Sequence, residues 1–380
     1  LPNRYNGTSL ADFARPTFIG SRLVPTRIVD MVDLTHARNP RILIVRLSAI
    51  GDVIHGVPVL CALRQALPEA FLGWVVEGRA GDLIDGHPAL DALIRVPRGW
   101  LKSPGEVWRL RRRLHELRFD TAIDLQCLTK SAIAAWLSGA RRRIGKAGSD
   151  GRELSRWLHN ELVVCGGEHV VEHYLDLLKP LGIDAPAVRF DLPERREDAR
   201  IADAFLLSSG LAAGRFALLN PGAGWPSKVW PAERYGELAR RLSKSHGLPS
   251  VAVWGVPSER PLAERIVAES GGSARLAAAT SMTELAALCR RAALFVGSDT
   301  GPMHLAVAVG APTISLHGPS HADWCGAYGP GNVRLQVRYE AGSALERRQA
   351  DDSAMRAIDV PLVAEACDRL LRNAAARQCG

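Results

Sequence analysis

A chain of 380 residues with 47% hydrophobic content is long enough for two α/β domains with their own cores, and no apolar run in it approaches the length of a membrane span. Its seven cysteines are odd in number and scattered without a C-x-x-C pair, which argues against a disulfide framework or a zinc site and for a reducing compartment. The formal net charge of +8 suits nucleic acid, an acidic membrane surface or anionic small molecules; nucleic acid is disfavoured, because there is no zinc finger and no aromatic-rich basic motif.

Residues 1–39 show no clear periodicity, and they read as an extension without the basic-then-apolar pattern of a signal peptide. The first strand is 41–47, the turn after it is 48–52, and a helix follows over 53–67. Further strands are expected at 71–76, 93–96, 121–125 and, briefly, 142–144, with helices at 104–117, 129–137 and 168–179, the last stopped by Pro180 and Gly182. The pattern then weakens. Pro186, Pro193 and the charge run 194–198 read as an inter-domain connection leading into a helix over 197–207. A second alternating series has strands at 216–219, 250–254, 294–296 and 313–316 and helices at 232–244, 259–269, 283–291 and 303–309; a last helix is expected near 360–375. Strands alternating with helices imply parallel sheets covered on both faces, an α/β fold. The chain divides into an extension (1–39), a first domain (40–185), a linker (186–212), a second domain (213–340) and a helical tail (341–380).

Four turns at strand ends carry candidate chemistry. After the first strand, Gly51 and Asp52 place a glycine beside a carboxylate. No G-x-G-x-x-G occurs there, and read alone Asp52 caps the helix while Gly51 makes the turn. The string DLQCLTKSA at 124–132 reads alone as a strand end and a capped helix, and Cys127 has no His motif beside it to make it a nucleophile. NPGAGWPSKVWP at 220–231 frees backbone N–H groups for phosphate, and Lys228 can set a positive charge on a leaving diphosphate. In LFVGSDTGPMHLAVAVGAPTISLHGPS, 294–320, a buried strand leads into a turn where Asp299 or Thr300 can cap and Pro302 suits the first helical position. Ligands sit at such strand ends in open α/β sheets, and a helix start suits phosphate. Read alone, Asp299 is equally a cap and His304 a satisfied first-turn residue. The arginines 109, 111, 112, 113 and 118, with 141–143 beyond, read first as a solvated face.

SDTGPMHLA followed by GAPTISLHGPS resembles the donor-nucleotide motif of glycosyltransferase family 9, the heptosyltransferases of bacterial lipopolysaccharide core. Asp299, Thr300, Gly301 and His304 match the family pattern, 220–231 is nearly the family's string, and Gly51-Asp52 with His55 matches its first turn; the resemblance spans roughly 41–330. It implies the GT-B architecture, two Rossmann-like domains facing a central cleft, with acceptor on the first and donor on the second. It implies an inverting transfer of heptose from a nucleotide-diphosphate sugar, ADP-heptose, to a glycolipid acceptor, with Asp52 as the general base that takes the proton of the attacking hydroxyl. By the same resemblance Lys228, Glu259, Asp299, Thr300, Gly301 and His304 bind the donor, Glu259 through the ribose hydroxyls. Ser48, His55, Arg79, Gln126 and Lys130 are the acceptor candidates; His55 is either a residue that tunes Asp52 or a buried helix residue. Cys127 stands where the family usually has glycine, which is expected to alter that turn. The Ser48-to-His55 pattern looks more like the enzyme that adds the first heptose to Kdo than like later ones.

The expected partners are a nucleotide-sugar donor, an anionic glycolipid acceptor and the inner-membrane surface, held peripherally by the arginine run; no nucleic acid and no obligate protein partner are inferred. The expected location is cytoplasmic. No cofactor and no obligatory metal are expected, since no Asp-x-Asp cluster ends a strand. A GT-B sugar-nucleotide epimerase and a nucleotide-sugar-binding protein without turnover are the alternatives. The last helix is expected to pack back across the first domain, as in many GT-B proteins.

Overall fold

The structure, a computed structural model, describes residues 39–148 and 155–378, so the extension expected over 1–39 lies, but for its last residue, outside the described residues. The first domain contains strands β1 (Arg41–Val45), β2 (Phe71–Glu77), β3 (Ala92–Val96), β4 (Thr121–Asp124), β5 (Arg142–Lys146) and β6 (Glu161–Val163), with helices α1 (Ile50–Ala66), α2 (Pro104–Leu117), α3 (Thr129–Leu137), α4 (Ser155–Leu158) and α5 (Val170–Asp176). Helix α6 (Arg196–Ser208) leads out of the connection. The second domain contains β7 (Ala217–Asn220), β8 (Ser250–Ala252), β9 (Ala274–Leu276), β10 (Leu294–Ser298), β11 (Thr313–His317) and β12 (Val333–Gln336), with α7 (Ala232–His246), α8 (Arg260–Glu269), α9 (Met282–Arg291), α10 (Gly301–Ala308) and α11 (Ala322–Cys325). Helices α12 (Ala344–Gln349), α13 (Ser353–Arg356) and α14 (Val360–Gln378) follow.

Both sheets are parallel, in the orders β3-β2-β1-β4-β5-β6 and β12-β11-β10-β7-β8-β9. Each winds outward from its centre, first one way and then the other, so the winding reverses between β1 and β4 and again between β7 and β10. Beyond the carboxyl ends of strands at such a reversal the loops part and leave a crevice. The four turns singled out in the sequence follow β1, β4, β7 and β10.

β1 is apolar at every position after its first because both its faces are covered. Ile42 and Ile44 enter a cluster with Val53, Val57 and Leu60 of α1, while Leu43 and Val45 enter another with Leu110 and Leu114 of α2. Helix α2 starts where its chemistry says: the Ser103 side chain accepts from the Glu106 N–H at 3.4 Å and Pro104 takes the first position. It ends at Arg118, whose φ of 50° is left-handed.

Three strands escaped the sequence reading: β6, β9 and β12 are three or four residues long and mixed in polarity, too short for a period of two to register. Helix α1 starts at Ile50, three residues before its expected start, so Asp52 lies inside its first turn. The buried residues of α14, Val363, Ala366, Cys367 and Leu370, belong to the core of the second domain with Leu238 and Leu242 of α7, not to the first domain as expected. The reason lies just upstream: Trp230 Nε1 and Arg234 Nη1 both donate to the carbonyl of Ile358, at 2.9 and 2.5 Å, and tie the approach to α14 onto the second domain.

Candidate active site

Asp52 has two partners through one oxygen. Its Oδ2 accepts the Ala49 N–H at 3.1 Å, which caps α1, and pairs with the Arg46 guanidinium at 2.5 Å. Arg46 is a buried cation at the carboxyl end of β1; burial alone would discharge it, but the neighbouring Tyr174 and Asp52 outweigh that and hold its pKa above the usual value. The Asp52 side chain remains 39% exposed. It faces a polar cavity of about 410 Å³ that Gln126, Lys146, Tyr174 and Trp324 also line. The Lys146 ammonium sits 5.0 Å from the Tyr174 ring centre and 5.6 Å from that of Trp324.

Two expected acceptor residues brace this wall. Gln126 Oε1 accepts from the Leu47 N–H at 3.0 Å. Lys130 donates to Ser48 Oγ at 3.2 Å and pairs with Glu77 at 3.0 Å, which fixes Ser48 at the mouth of the cavity. Cys127 keeps the turn that a glycine would make: it adopts a left-handed φ of 52°. The strain is offset locally. The Cys127 N–H donates to Asp124 Oδ1 at 2.9 Å, its thiol donates to the Asp124 carbonyl at 2.9 Å, and its sulfur accepts from the Lys146 N–H at 3.2 Å. Burial pushes the thiol pKa up, the opposite of what a nucleophile needs.

On the second domain Lys228 pairs with Asp299 at 2.5 Å, with side-chain exposures of 14% and 8%. Lys228 also lies 4.5 Å from the ring centre of Trp225, one wall of its own loop. Burial would raise the Asp299 carboxyl, but the His304 hydrogen bond and the Lys228 and His304 charges outweigh it and hold the group well below the usual carboxylate range. Thr300 occupies the N-cap position of α10 but turns its hydroxyl back to the Ser298 carbonyl, at 3.2 Å, so its side chain does not cap the helix as expected. The first-turn N–H groups are therefore left for an anion.

His304, expected to reach the donor, is 7% exposed and has both ring nitrogens on protein groups: Nε2 on Asp299 Oδ1 at 3.0 Å and Nδ1 on His55 Nε2 at 3.0 Å. His55 in turn points to the second domain and not into the cavity of Asp52. It is the buried helix residue of the two readings that the sequence left open. α1 and α10 meet so closely that a Cβ at Gly51 would lie 2.6 Å from His304 Cδ2, a spacing that explains the glycine before Asp52.

Two further cavities adjoin. One of about 490 Å³ lies over the ends of β8 and α9, lined by Trp254, Glu259, Thr280 and Met282. A cleft of about 1010 Å³ runs between Ser48–Gly51 of the first domain and Gly222–Gly224 and Thr300–Pro302 of the second. Glu259 and Arg79 line both, and Ser48 lines both the cleft and the cavity of Asp52, so the three spaces adjoin in series. Glu259 Oε2 accepts from the Gly255 N–H at 2.9 Å, which holds its carboxylate at the junction. Arg79, an acceptor candidate, lines these two spaces beside Glu259, with an 86% exposed side chain.

Sequence reasoning missed Arg46, Lys146, Tyr174 and Trp324. Arg46 alone left a signal, a cation ending an apolar strand. The other three come from β5, α5 and α11, and only folding brings them to Asp52.

The sequence model of glycosyltransferase family 9 (heptosyltransferase) matches residues 107–354. The chain is similar to lipopolysaccharide heptosyltransferase 1 of Pseudomonas aeruginosa, 34% identical over 322 residues, which span 81% of this chain and 86% of the relative. Its structure is similar to that of the E. coli heptosyltransferase WaaC with ADP, at a TM-score of 0.70 and 26% identity, covering 87% of this chain and 99% of that one. The same enzyme with ADP-2-deoxy-2-fluoro heptose matches at a TM-score of 0.68 and 26% identity over the same shares.

Proposed function

This chain belongs to glycosyltransferase family 9, the heptosyltransferases, and from that premise we propose that it moves a heptose from ADP-heptose to lipopolysaccharide core, with inversion at the anomeric carbon. The observation that carries the reading is the series of adjoining spaces from the cavity at Glu259, through the cleft at Thr300 and Gly301, to the cavity of Asp52. A nucleoside fits the first space, a diphosphate the helix start beside it, and an acceptor hydroxyl the last.

The chemistry then runs along that series. Asp52 takes the proton of the acceptor hydroxyl, whose oxygen forms a bond to the anomeric carbon as the bond from that carbon to the diphosphate oxygen breaks. Arg46 holds the carboxylate by Oδ2, and the other oxygen meets the acceptor. The N–H groups at the start of α10 and the ammonium of Lys228 stabilise the charge that develops on the departing ADP. In the structure Asp299 neutralises Lys228, so an incoming diphosphate shares that ammonium with a carboxylate already in place. Fixed donors of this kind serve the role that a divalent ion serves in other transferases, and we read the reaction as metal-independent.

The acceptor is an anionic glycolipid, and Lys146 with Arg46 supplies the cationic wall its phosphate or carboxylate groups need. The first-domain pattern from Ser48 to His55 favours addition of the first heptose, to Kdo. The protein works peripherally at the inner-membrane surface; among the described residues no helix is long and apolar enough to cross a membrane.

Purified protein incubated with ADP-heptose tests the reading through ADP release. Release that depends on a Kdo-bearing acceptor is the expected result. Sugar isomerisation without acceptor points to the epimerase alternative, and tight ADP binding without release under any acceptor points to a binding protein.

A further inference from the structure

The three most exposed tryptophans among the described residues project from one layer of the first domain. Trp108 on α2 is 58% exposed, Trp136 on α3 50% and Trp157 on α4 85%; the next, Trp324, is at 38%. Helices α2 and α3 bury their other faces in the same apolar cluster, through Leu110 and Ala135 among others, and α4 packs on α3. The layer is therefore continuous. Indoles are large apolar bodies with one polar N–H, and leaving three of them in water across adjacent helices forgoes burial that a purely soluble face would take.

The charge around them is positive. α2 carries four arginines against two glutamates. On α2, Trp108 and Arg112 lie opposite the buried Leu110 and Leu114, and the Arg112 guanidinium stacks 4.6 Å from the Trp108 ring centre. Arg111 and, beside Trp157, Arg156 are exposed as well. Glu106 and Glu116 pair with neighbours on the same helix and offset part of this charge. Indoles with guanidinium groups match the headgroup level of a bilayer, where the ring meets the acyl boundary and the cation meets phosphate. Position fits too. Leu128, just before α3, lines the cavity of Asp52, and Trp136 lies eight residues on, so about 12 Å of helix rise separates the edge of the cavity from the residue that bears the indole.

We propose that the α2–α3–α4 layer is the surface by which the protein docks on an anionic phospholipid bilayer, with Trp108, Trp136 and Trp157 seated among the headgroups. The inference rests on the reading of a membrane-embedded glycolipid acceptor and names the face that meets the membrane.

Sedimentation with vesicles of phosphatidylcholine alone, and of phosphatidylcholine mixed with phosphatidylglycerol, tests it. The parent chain should partition onto the mixed vesicles, less so at high salt. A Trp108→Ser/Trp136→Ser/Trp157→Ser variant should lose at least about tenfold of that partition. It should retain the parent's melting temperature and its turnover on a lipid-free Kdo-bearing acceptor. If the triple variant fails to fold, Trp157→Ser alone, at the most exposed position, should still weaken the partition measurably. A variant that binds the mixed vesicles as well as the parent overturns the assignment of this face while leaving the membrane reading standing. Failure of the parent to bind either vesicle overturns both. Self-association of the parent in sedimentation velocity, lost in the triple variant with vesicle binding unchanged, assigns the face to a second copy and also overturns the proposal.

Discussion

His55 Nε2 lies 3.0 Å from His304 Nδ1, a bond between residues 249 apart that joins α1, the helix of Asp52, to α10. The chain continues through Asp299 to Lys228, so four side chains link the first domain to the phosphate-facing loop proposed on the second. His304→Ala would leave Asp299 Oδ1 and His55 Nε2 buried without this partner and destabilise the protein by about 2–4 kcal/mol. The expectation is a clear fall in melting temperature without ligand, together with a change in ADP affinity measured by calorimetry on the folded fraction. An unchanged melting temperature would rule out the bridging role.

The same burial sets a pH dependence. His55 is held well below the usual imidazole range by burial and by the neighbouring His304 and His169, while burial brings His169 and His317 each to about 4. These rings take up protons near pH 6.5 in the unfolded chain but only at lower pH in the fold. The unfolded state then binds more protons, so stability is full above about pH 6.5 and falls as pH drops toward 4, by about 1.4 kcal/mol per pH unit for each ring. Denaturant melts at pH 7, 6 and 5 should show this fall; a flat series would contradict it.

Asp52→Asn keeps the cap on Ala49, since an amide oxygen still accepts, but cannot take a proton. Turnover should fall by about 10²–10⁴-fold with ADP affinity nearly unchanged. A variant within a few-fold of the parent would remove Asp52 from the role of base.

Lys228→Ala leaves the Asp299 carboxylate buried and deprived of its ion pair, at a cost of about 3–5 kcal/mol. It should lower both the melting temperature and ADP affinity. Lys228→Ala/Asp299→Asn separates the two effects: stability should return in good part, while affinity and transfer should not. Recovery of affinity in the double variant would show that Lys228 does not hold the phosphates.

Chelation tests the metal-independent reading. Asp299, His317 and Cys325 bring ligand atoms within 4.8 Å of one another, the kind of group that could hold an ion. Both ring nitrogens of His317 already meet serine hydroxyls, Nε2 on Ser315 at 3.0 Å and Nδ1 on Ser320 at 3.2 Å, and Asp299 is taken by Lys228 and His304. Activity should survive EDTA within about twofold. Loss of activity that a divalent ion restores would make this cluster a metal centre.

The sequence by itself determined the elements whose information is local. A run of consecutive apolar residues, a 3.6-residue apolar period or a glycine before a carboxylate is legible within one or two turns of chain, which is why the strands ending in the four motif turns could be placed. The short edge strands β6, β9 and β12 could not, because three or four mixed residues hold too little of a period. Only the tertiary structure decided partners. Nothing local says that His55 faces His304 and not Asp52, that Asp299 neutralises Lys228, or that Lys146, Tyr174 and Trp324 share a cavity with Asp52. Each of those meetings depends on two sheets closing around one cleft. A side chain's charge, burial and hydrogen-bond partners are set by what packs on it from a distant part of the chain, while the sequence around it sets only the helix or strand from which it projects.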